Sequence, residues 1–271
     1  MNAGSAKGKV ILAGAGPGDP ELITLKALRY LQNADVVIVD RLVGEDLLTQ
    51  YVKADAKIIR VGKQAGNSFS TPQENINDLL VVSAQHNQLV VRLKGGDVSF
   101  FSNVLDELKT LISHQIPYEI VPGITAASGA AAYAGIPLTA RGYASAVRFL
   151  TYNRNAAWEE ARWQDLAATD DTLVFYMAID VLDTVVEKLL QYNISDDKYM
   201  AVIEQATTPL QKVHLFKLRN HEEEIGNIQL SSPSLVIVGK VTTLHEEFRW
   251  VPEVNSRENY FAPVRKIGTI N

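Results

Sequence analysis

Short apolar runs rich in β-branched residues alternate, through the first half of the chain, with stretches of helical periodicity. The runs at 9–13 (KVILA), 34–39 (ADVVIV), 57–61 (KIIRV), 89–93 (LVVRL) and 118–121 (YEIV) read as strands. Between them, Leu22, Leu25, Leu28 and Leu31 recur at helical spacing within 21–33, and Ile76, Leu79 and Leu80 do so within 73–86. Shorter helices are predicted at 45–51 and 105–113. The strands are continuously apolar rather than alternating, which predicts a mostly parallel sheet covered on both faces. Nearly every strand stops at a Gly, Pro or charged loop. Ligands of open α/β sheets bind beyond the carboxyl ends of the strands. Pro17, Asp40, Lys63, Asp97 and Thr125 are distant in sequence but are therefore predicted to line one crevice.

The second half has shorter connections and more alternation. Strands are predicted at 147–151, 172–176, 199–204, 211–216 and 234–241, with helices at 163–168, 180–192 and 221–226, a pattern that suits a mixed sheet. Between the halves, TAASGAAAYA (125–134) is made of small residues, which permit close helix packing or close approach of a ligand. The Ile136-Pro137-Leu138 stretch marks the expected junction. The reading is two α/β domains, 8–135 and 136–250, and a polar tail at 251–271, loose or docked on a neighbour.

Composition narrows the function classes. The chain has 271 residues, 46% hydrophobic and 21% charged, which excludes a disordered chain. Its net charge of −5 does not suit a general nucleic-acid binder. With no cysteine, disulfides, thiolate catalysis and cysteine zinc sites are excluded. The five histidines, at 86, 114, 214, 221 and 245, form no metal-binding pattern, so no metal is expected. No signal-peptide core and no apolar run of ~18 residues occurs, so an acidic, soluble, cytoplasmic protein without a membrane span is expected.

The glycine loop Gly14-Ala15-Gly16-Pro17-Gly18-Asp19 stands where a dinucleotide fingerprint would, but that pattern needs glycine at 19. An acid there opposes a pyrophosphate at a helix N-terminus; a tight turn without ligand is the alternative. Gly95-Gly96-Asp97 lets a backbone approach a ligand closely and adds a carboxylate for a hydroxyl or amino group, though such a triplet is also an ordinary turn. Asp40-Arg41 and Gly62-Lys63 taken singly read as solvated loop charges, and Met177 as core packing.

In their order along the chain these fragments resemble the tetrapyrrole methylase superfamily, most closely the uroporphyrinogen-III C-methyltransferases. The resemblance spans roughly 8–250. It is carried by VILAGAGPGDPELITLKAL (10–28), DVVIVDRLV (35–43), VGKQAG (61–66), PQENIN (72–77), VVRLKGGD (90–97), VPGITAASGAAAYAGIPLT (121–139), YASAVRFLT (143–151), TLVFYM (172–177) and SPSLVIVGKV (232–241). It implies two α/β domains with an S-adenosylmethionine cleft between them, and a homodimer. By position, Pro17, Gly95, Gly96, Asp97, Phe100, Thr125, Ala126, Met177 and Ala206 are expected at the cofactor. Asp40 and Lys63 are expected to be catalytic, as proton acceptor and donor. Arg41, Arg141 and Arg148, with Lys63, are expected to meet the eight carboxylates of uroporphyrinogen III; for Arg148, inside a strand-like run, a salt bridge is the alternative.

The implied reaction is two successive C-methylations giving precorrin-2, toward sirohaem or cobalamin. The dehydrogenation and iron-insertion steps are expected to lie elsewhere. The acceptor side departs from the family's usual pattern: Val98 replaces Pro, Asn103 replaces Arg, Val104-Leu105 replace Gly-Gly, and Ala140 and Gly142 replace His and Asp. Thr151-Tyr152-Asn153 stands where TGH is usual, and Ala206 where glycine is usual. A methyltransferase for another tetrapyrrole, or a cofactor-binding homologue without turnover, stays open at this point.

Overall fold

The computed structural model describes residues 8–62, 71–226, 228–252, 254, 256 and 258–261. Their contacts divide the chain after Thr125 into two compact units, with residues 259–261 grouped with the first.

The first unit begins with β1 (Lys9–Gly14), α1 (Leu25–Leu31), β2 (Val36–Asp40), α2 (Glu45–Tyr51) and β3 (Lys57–Val61). It continues with α3 (Gln73–His86), β4 (Leu89–Lys94), α4 (Val104–Ser113) and β5 (Tyr118–Val121). The strands form one sheet in the order β3-β2-β4-β1-β5, every pair parallel. Side chains alternate across it. Ile11, Ala13, Val37, Val39, Val91 and Leu93 pack with Ala27, Leu31, Leu47 and Leu48 of α1 and α2. Val10, Leu12, Val36, Ile38 and Val90 pack on the other face with Ile76, Leu80, Ala84 and Leu111 of α3 and α4. Both faces are covered, which is why the strands read as unbroken apolar runs.

The helix expected over 21–33 is shorter than predicted. Pro20–Leu22 form a 3₁₀ turn, and the chain is extended at Thr24, whose side-chain oxygen accepts from the Ala27 amide at 3.3 Å and so starts α1 at Leu25. Leu25, counted in the apolar stripe, is 74% exposed.

The second unit carries α5 (Ala126–Ala134), β6 (Val147–Thr151), α6 (Glu160–Ala168), β7 (Thr172–Tyr176) and α7 (Leu182–Gln191). It continues with β8 (Tyr199–Glu204), β9 (Lys212–Lys217), α8 (His221–Ile225), β10 (Ser234–Gly239) and α9 (His245–Phe248). Its sheet runs β6-β7-β10-β8-β9, parallel at β6–β7 and antiparallel elsewhere, a mixed sheet. Trp163, Leu166, Val185, Val186 and Leu189 of α6 and α7 cover one face. Ala127, Ala130 and Ala134 of α5 cover the other against Val174, Ala201, Ile203, Leu235 and Ile237.

The junction expected at 135/136 therefore falls earlier. The alanines of α5 are short enough for the helix to lie close on the second sheet, so the whole segment belongs to that unit. The described end of the tail is docked rather than loose. Tyr260 donates its hydroxyl proton to Asp46 Oδ2 at 3.2 Å, and Phe261 is buried. Burial, reinforced by Asp46, pushes the Tyr260 hydroxyl up to about 12.

Glu119 on β5 gathers Lys9 Nζ and Lys26 Nζ at 2.5 Å each and the Tyr30 hydroxyl at 2.7 Å. The contacts from Lys26, Lys9 and Tyr30 hold its carboxyl down at about 2. A depressed carboxylate contributes stability that is present above the unfolded-state value and lost as pH falls through the folded-state one. Glu119→Gln is therefore expected to lower Tm at neutral pH, with the gap to the parent closing between about 4.5 and about 2. Thermal unfolding across that range checks it, and a gap that stays constant contradicts it.

Candidate active site

At the carboxyl edge of the first sheet three loops meet backbone to backbone. Gly16 and Gly96 exchange both peptide hydrogen bonds, at 3.1 and 2.7 Å, with φ of +80° and +69°. A Cβ at Gly14 would lie 2.6 Å from the Gly96 oxygen and 2.7 Å from the Gly123 Cα, and one at Gly123 would lie 2.4 Å from the Gly96 oxygen. The loops after β1, β4 and β5, which carry Pro17, Asp97 and Thr125 of the expected crevice, thus converge. Asp97 is buried and ties them: Oδ2 accepts from the Gly123 amide at 2.8 Å and Oδ1 from the Ser99 amide at 2.7 Å. Its carboxylate, read from sequence as available to a ligand hydroxyl or amino group, holds the loop. A Cβ at Gly95 would lie 2.8 Å from the Leu42 Cβ and carbonyl oxygen, which brings the loop after β2 against the same edge. Phe100 is exposed beside it, and Thr125 is half-buried.

Asp40 ends β2 on this edge. One of its oxygens accepts from Arg92 Nη2. Arg92 Nε donates to Glu107 Oε1 at 2.9 Å, and its Nη1 donates to the Ile38 and Leu93 carbonyls at 3.4 and 3.2 Å. Lys94 Nζ donates to both oxygens of Glu107 at 3.0 and 2.9 Å. The result is a row of alternating charges, Asp40, Arg92, Glu107, Lys94. Side-chain exposure is 27% at Asp40, 2% at Arg92, 0% at Glu107 and 4% at Lys94. Burial works against the Arg92 charge, but Asp40 and Glu107 outweigh it and raise the guanidinium above its ordinary value. Burial and the neighbouring Arg92 lower Lys94. Sequence reasoning singled out none of Arg92, Lys94 and Glu107. The available signal was two basic residues on one face of a buried strand, which require a buried acid.

The second unit presents its own edge. β7 and β8 both run antiparallel to β10, so both end beside its start, where Tyr176 and Glu204 pair with Leu235 and Ser234. Met177 follows β7 with φ +57° and is 53% exposed, so it is not core. After β8, Gln205 (φ +47°) and Thr207 (φ +65°) flank the half-buried Ala206. Left-handed non-glycine residues cost free energy and cluster at functional sites. The Ala127 amide donates to the Tyr176 hydroxyl at 3.1 Å, placing the start of α5, with Ala126, at this edge. The expected cofactor residues of this half, Ala126, Met177 and Ala206, thus come together.

The basic candidates separate. Lys63 lies outside the described residues. Arg41 is partly buried, its Nε has no hydrogen-bond partner among the described residues, and burial lowers its guanidinium. Arg141 is exposed and lines a cavity of about 560 Å³ with residues 139–145, Asp170 and Lys240. Arg148 is corrected. Its Nε meets Asp171 at 2.6 Å, Nη1 meets Asp165 and Nη2 meets Thr169 at 3.1 Å. Each guanidinium nitrogen is engaged within the unit, so Arg148 is a structural tie and not a substrate anchor. Of the departures, Val98 is core, Asn103 takes the left-handed position before α4 at φ +54°, Gly142 stands in open space at φ +85°, and Ala140 pairs with Ala144. Among the described residues no helix is long and apolar enough to cross a membrane.

With two α/β units, the first with converging glycine loops and the second with a strained loop edge, the chain matches the methylases of tetrapyrrole type. The chain belongs to the tetrapyrrole (corrin/porphyrin) methylase family, whose family model matches residues 9–221. It is 46% identical over 245 residues to siroheme synthase of Acinetobacter baylyi, covering 90% of this chain and 53% of that protein. It is 47% identical over 245 residues to siroheme synthase 3 of Aeromonas hydrophila, covering 90% and 51%. The chain thus spans about half the length of the curated relatives it matches. Among solved structures it resembles uroporphyrin-III C-methyl transferase of Thermus thermophilus, complexed with S-adenosylhomocysteine, at TM-score 0.72 and 33% identity over 86% of this chain and 93% of that one. A cobalt precorrin-4 methyltransferase matches at TM-score 0.75 and 26% identity over 86% and 95%.

Gly123→Ala is expected to cost about 2–3 kcal/mol, because its methyl group meets immovable backbone. Gly142→Ala, with open space and only its left-handed backbone against it, is expected to cost about 1 kcal/mol. Urea unfolding of the two variants checks the order, and equal losses contradict it.

Proposed function

We propose that the chain is an S-adenosylmethionine-dependent C-methyltransferase that methylates uroporphyrinogen III twice, giving precorrin-2 for sirohaem or cobalamin. The observation that carries the reading is Asp40, held at the strand-end edge by a buried guanidinium beside a glycine loop. The family match and the relatives' names support the reaction class and the acceptor.

The residues present fit S-adenosylmethionine. The loop at 95–96 has no room for a side chain at Gly95, and Met177 is exposed in a strained conformation. Pro17, Gly95, Gly96, Phe100 and Thr125 are assigned to the cofactor from the first unit, and Ala126, Met177 and Ala206 from the second. Asp97 serves by holding its loop. The cofactor supplies an electrophilic methyl group on a sulfonium.

The acceptor carbon of an electron-rich pyrrole would form the new C–C bond as the methyl–sulfur bond breaks and the electron pair leaves on sulfur as a neutral thioether; positive charge then builds on the pyrrole nitrogen, and a proton must leave. Asp40 Oδ1 is taken by Arg92, while Oδ2 accepts no hydrogen bond among the described residues. That oxygen is assigned to accept from the pyrrole N–H, stabilising the charge, or to take the proton. Lys63 is assigned to proton transfer at a second position. Arg41 and Arg141 are assigned to substrate carboxylates, which suit the guanidinium fork. Holding the two reactants together supplies much of the rate. Asn103 and Ala140 favour, as a second reading, a different tetrapyrrole acceptor for the same machinery. A cytoplasmic homodimer is part of the proposal, and sedimentation equilibrium tests the assembly.

Anaerobic incubation with uroporphyrinogen III and S-adenosylmethionine, followed by absorbance and mass, is expected to show a gain of two methyl groups. No gain, with S-adenosylhomocysteine bound in calorimetry, points to another acceptor. Asp40→Asn is expected to lower methyl transfer by about 10²-fold with S-adenosylhomocysteine binding unchanged; unchanged turnover removes Asp40 from the mechanism.

A further inference from the structure

A carboxylate at a strand end needs no buried cation to stay in the fold, and three buried charges behind it are costly to place. Replacing such a set by apolar residues is often neutral or stabilising, so its stability alone does not account for it. The geometry around Arg92 does. Four of its N–H groups are committed, to Glu107, to the Ile38 and Leu93 carbonyls and to Asp40, so the planar fork has no freedom to turn. Glu107 is wholly buried on α4 and is itself fixed by Lys94 on both oxygens. Asp40 is the only member of the four with substantial exposure. The row therefore runs from the interior of the α3/α4 layer to one oriented oxygen at the edge.

We infer that Arg92, locked by Glu107 and Lys94, is a positioning residue for methyl transfer: it fixes the rotamer of Asp40 so that Oδ2 points at the acceptor. Glu107 acts one step further back, by holding the guanidinium plane. This rests on the reaction proposed above. Arg92 touches neither reactant. Lysine at 92 would keep the charge but has no fork, so it reaches Asp40 or Glu107 and not both.

The test is a kinetic cycle on the full chain with uroporphyrinogen III and S-adenosylmethionine. Arg92→Lys is expected to lower kcat by about 10²-fold, with KM for uroporphyrinogen III and the Kd of S-adenosylhomocysteine unchanged. Because Arg92 acts through Asp40, adding Arg92→Lys to Asp40→Asn is expected to cost nothing beyond Asp40→Asn alone. Wild-type kcat in Arg92→Lys, or losses that multiply in the double variant, overturns the inference, since a merely structural effect is independent of residue 40. If Arg92→Lys does not fold by circular dichroism, Glu107→Gln, which leaves Arg92 in place, takes its position in the same cycle with the same two outcomes. A wild-type chain that transfers no methyl group overturns the proposed reaction instead, so the two failures are distinct.

Discussion

Gly14 and Gly123 lack side chains because the backbones at the ends of β1, β4 and β5 approach too closely to admit one. Most of the first unit's chemistry depends on that contact. Parallel pairing sets Gly14 beside Lys94 and Ala13 beside Val121, so the three strands end nearly flush. The loops leaving them must then cross one another, and they do so as peptide groups alone. Asp97 completes the closure from a backbone amide on each side. With the 95–97 loop fixed, Gly95 abuts Leu42, and the segment carrying Asp40 and Arg41 is held at the same edge. One steric constraint thus sets the position of both the glycine loop and the carboxylate.

Charge imposes the second constraint. β4 is covered on both faces, yet it carries Arg92 and Lys94 on the side facing α4. Two cations in an apolar layer require two anions within hydrogen-bond reach, and Glu107 with Asp40 supply them. Because the charges alternate, each interior group has an opposite neighbour on either side, and the only substantially exposed end of the row is an acid. A site that must meet a developing positive charge benefits from an acid whose orientation was settled during folding rather than during the reaction.

The first sheet was legible because its central strands β1, β2 and β4 are buried almost throughout, so they appear as unbroken apolar runs and the turns as glycine and proline. Convergence of the strand ends followed from topology alone. What escaped was decided by contacts between distant residues. Asp97 looks like a ligand in sequence, since nothing local reveals that Gly123 is its partner. Arg148 looks like an anchor for anions until Asp165, Asp171 and Thr169 surround it. The alanines of α5 give no amphipathic signal, and their assignment to the second sheet depends on the bulk of Val174, Ile203 and Ile237 opposite. Met177 reads as core by hydrophobicity, and only the left-handed backbone shows that it is held out of the core.

The departures on the acceptor side change chemistry more than shape. Val98 fills the α3/α4 layer as an apolar residue of modest size, so the chain after Asp97 keeps an anchor there. Asn103 takes a left-handed conformation, which asparagine tolerates better than most residues. The backbone path into α4 is therefore compatible with loss of the family's usual arginine, and what is lost is one cation. On the proposed function, more of the recognition is assigned to Arg41, because its Nε is buried and lacks a hydrogen-bond partner among the described residues. A desolvated donor without an acceptor is costly, and a substrate carboxylate that fills it recovers that cost on binding. On the proposed function, selection among tetrapyrroles with different carboxylate patterns would rest on which of them places an acid at Arg41 while presenting its pyrrole to Asp40.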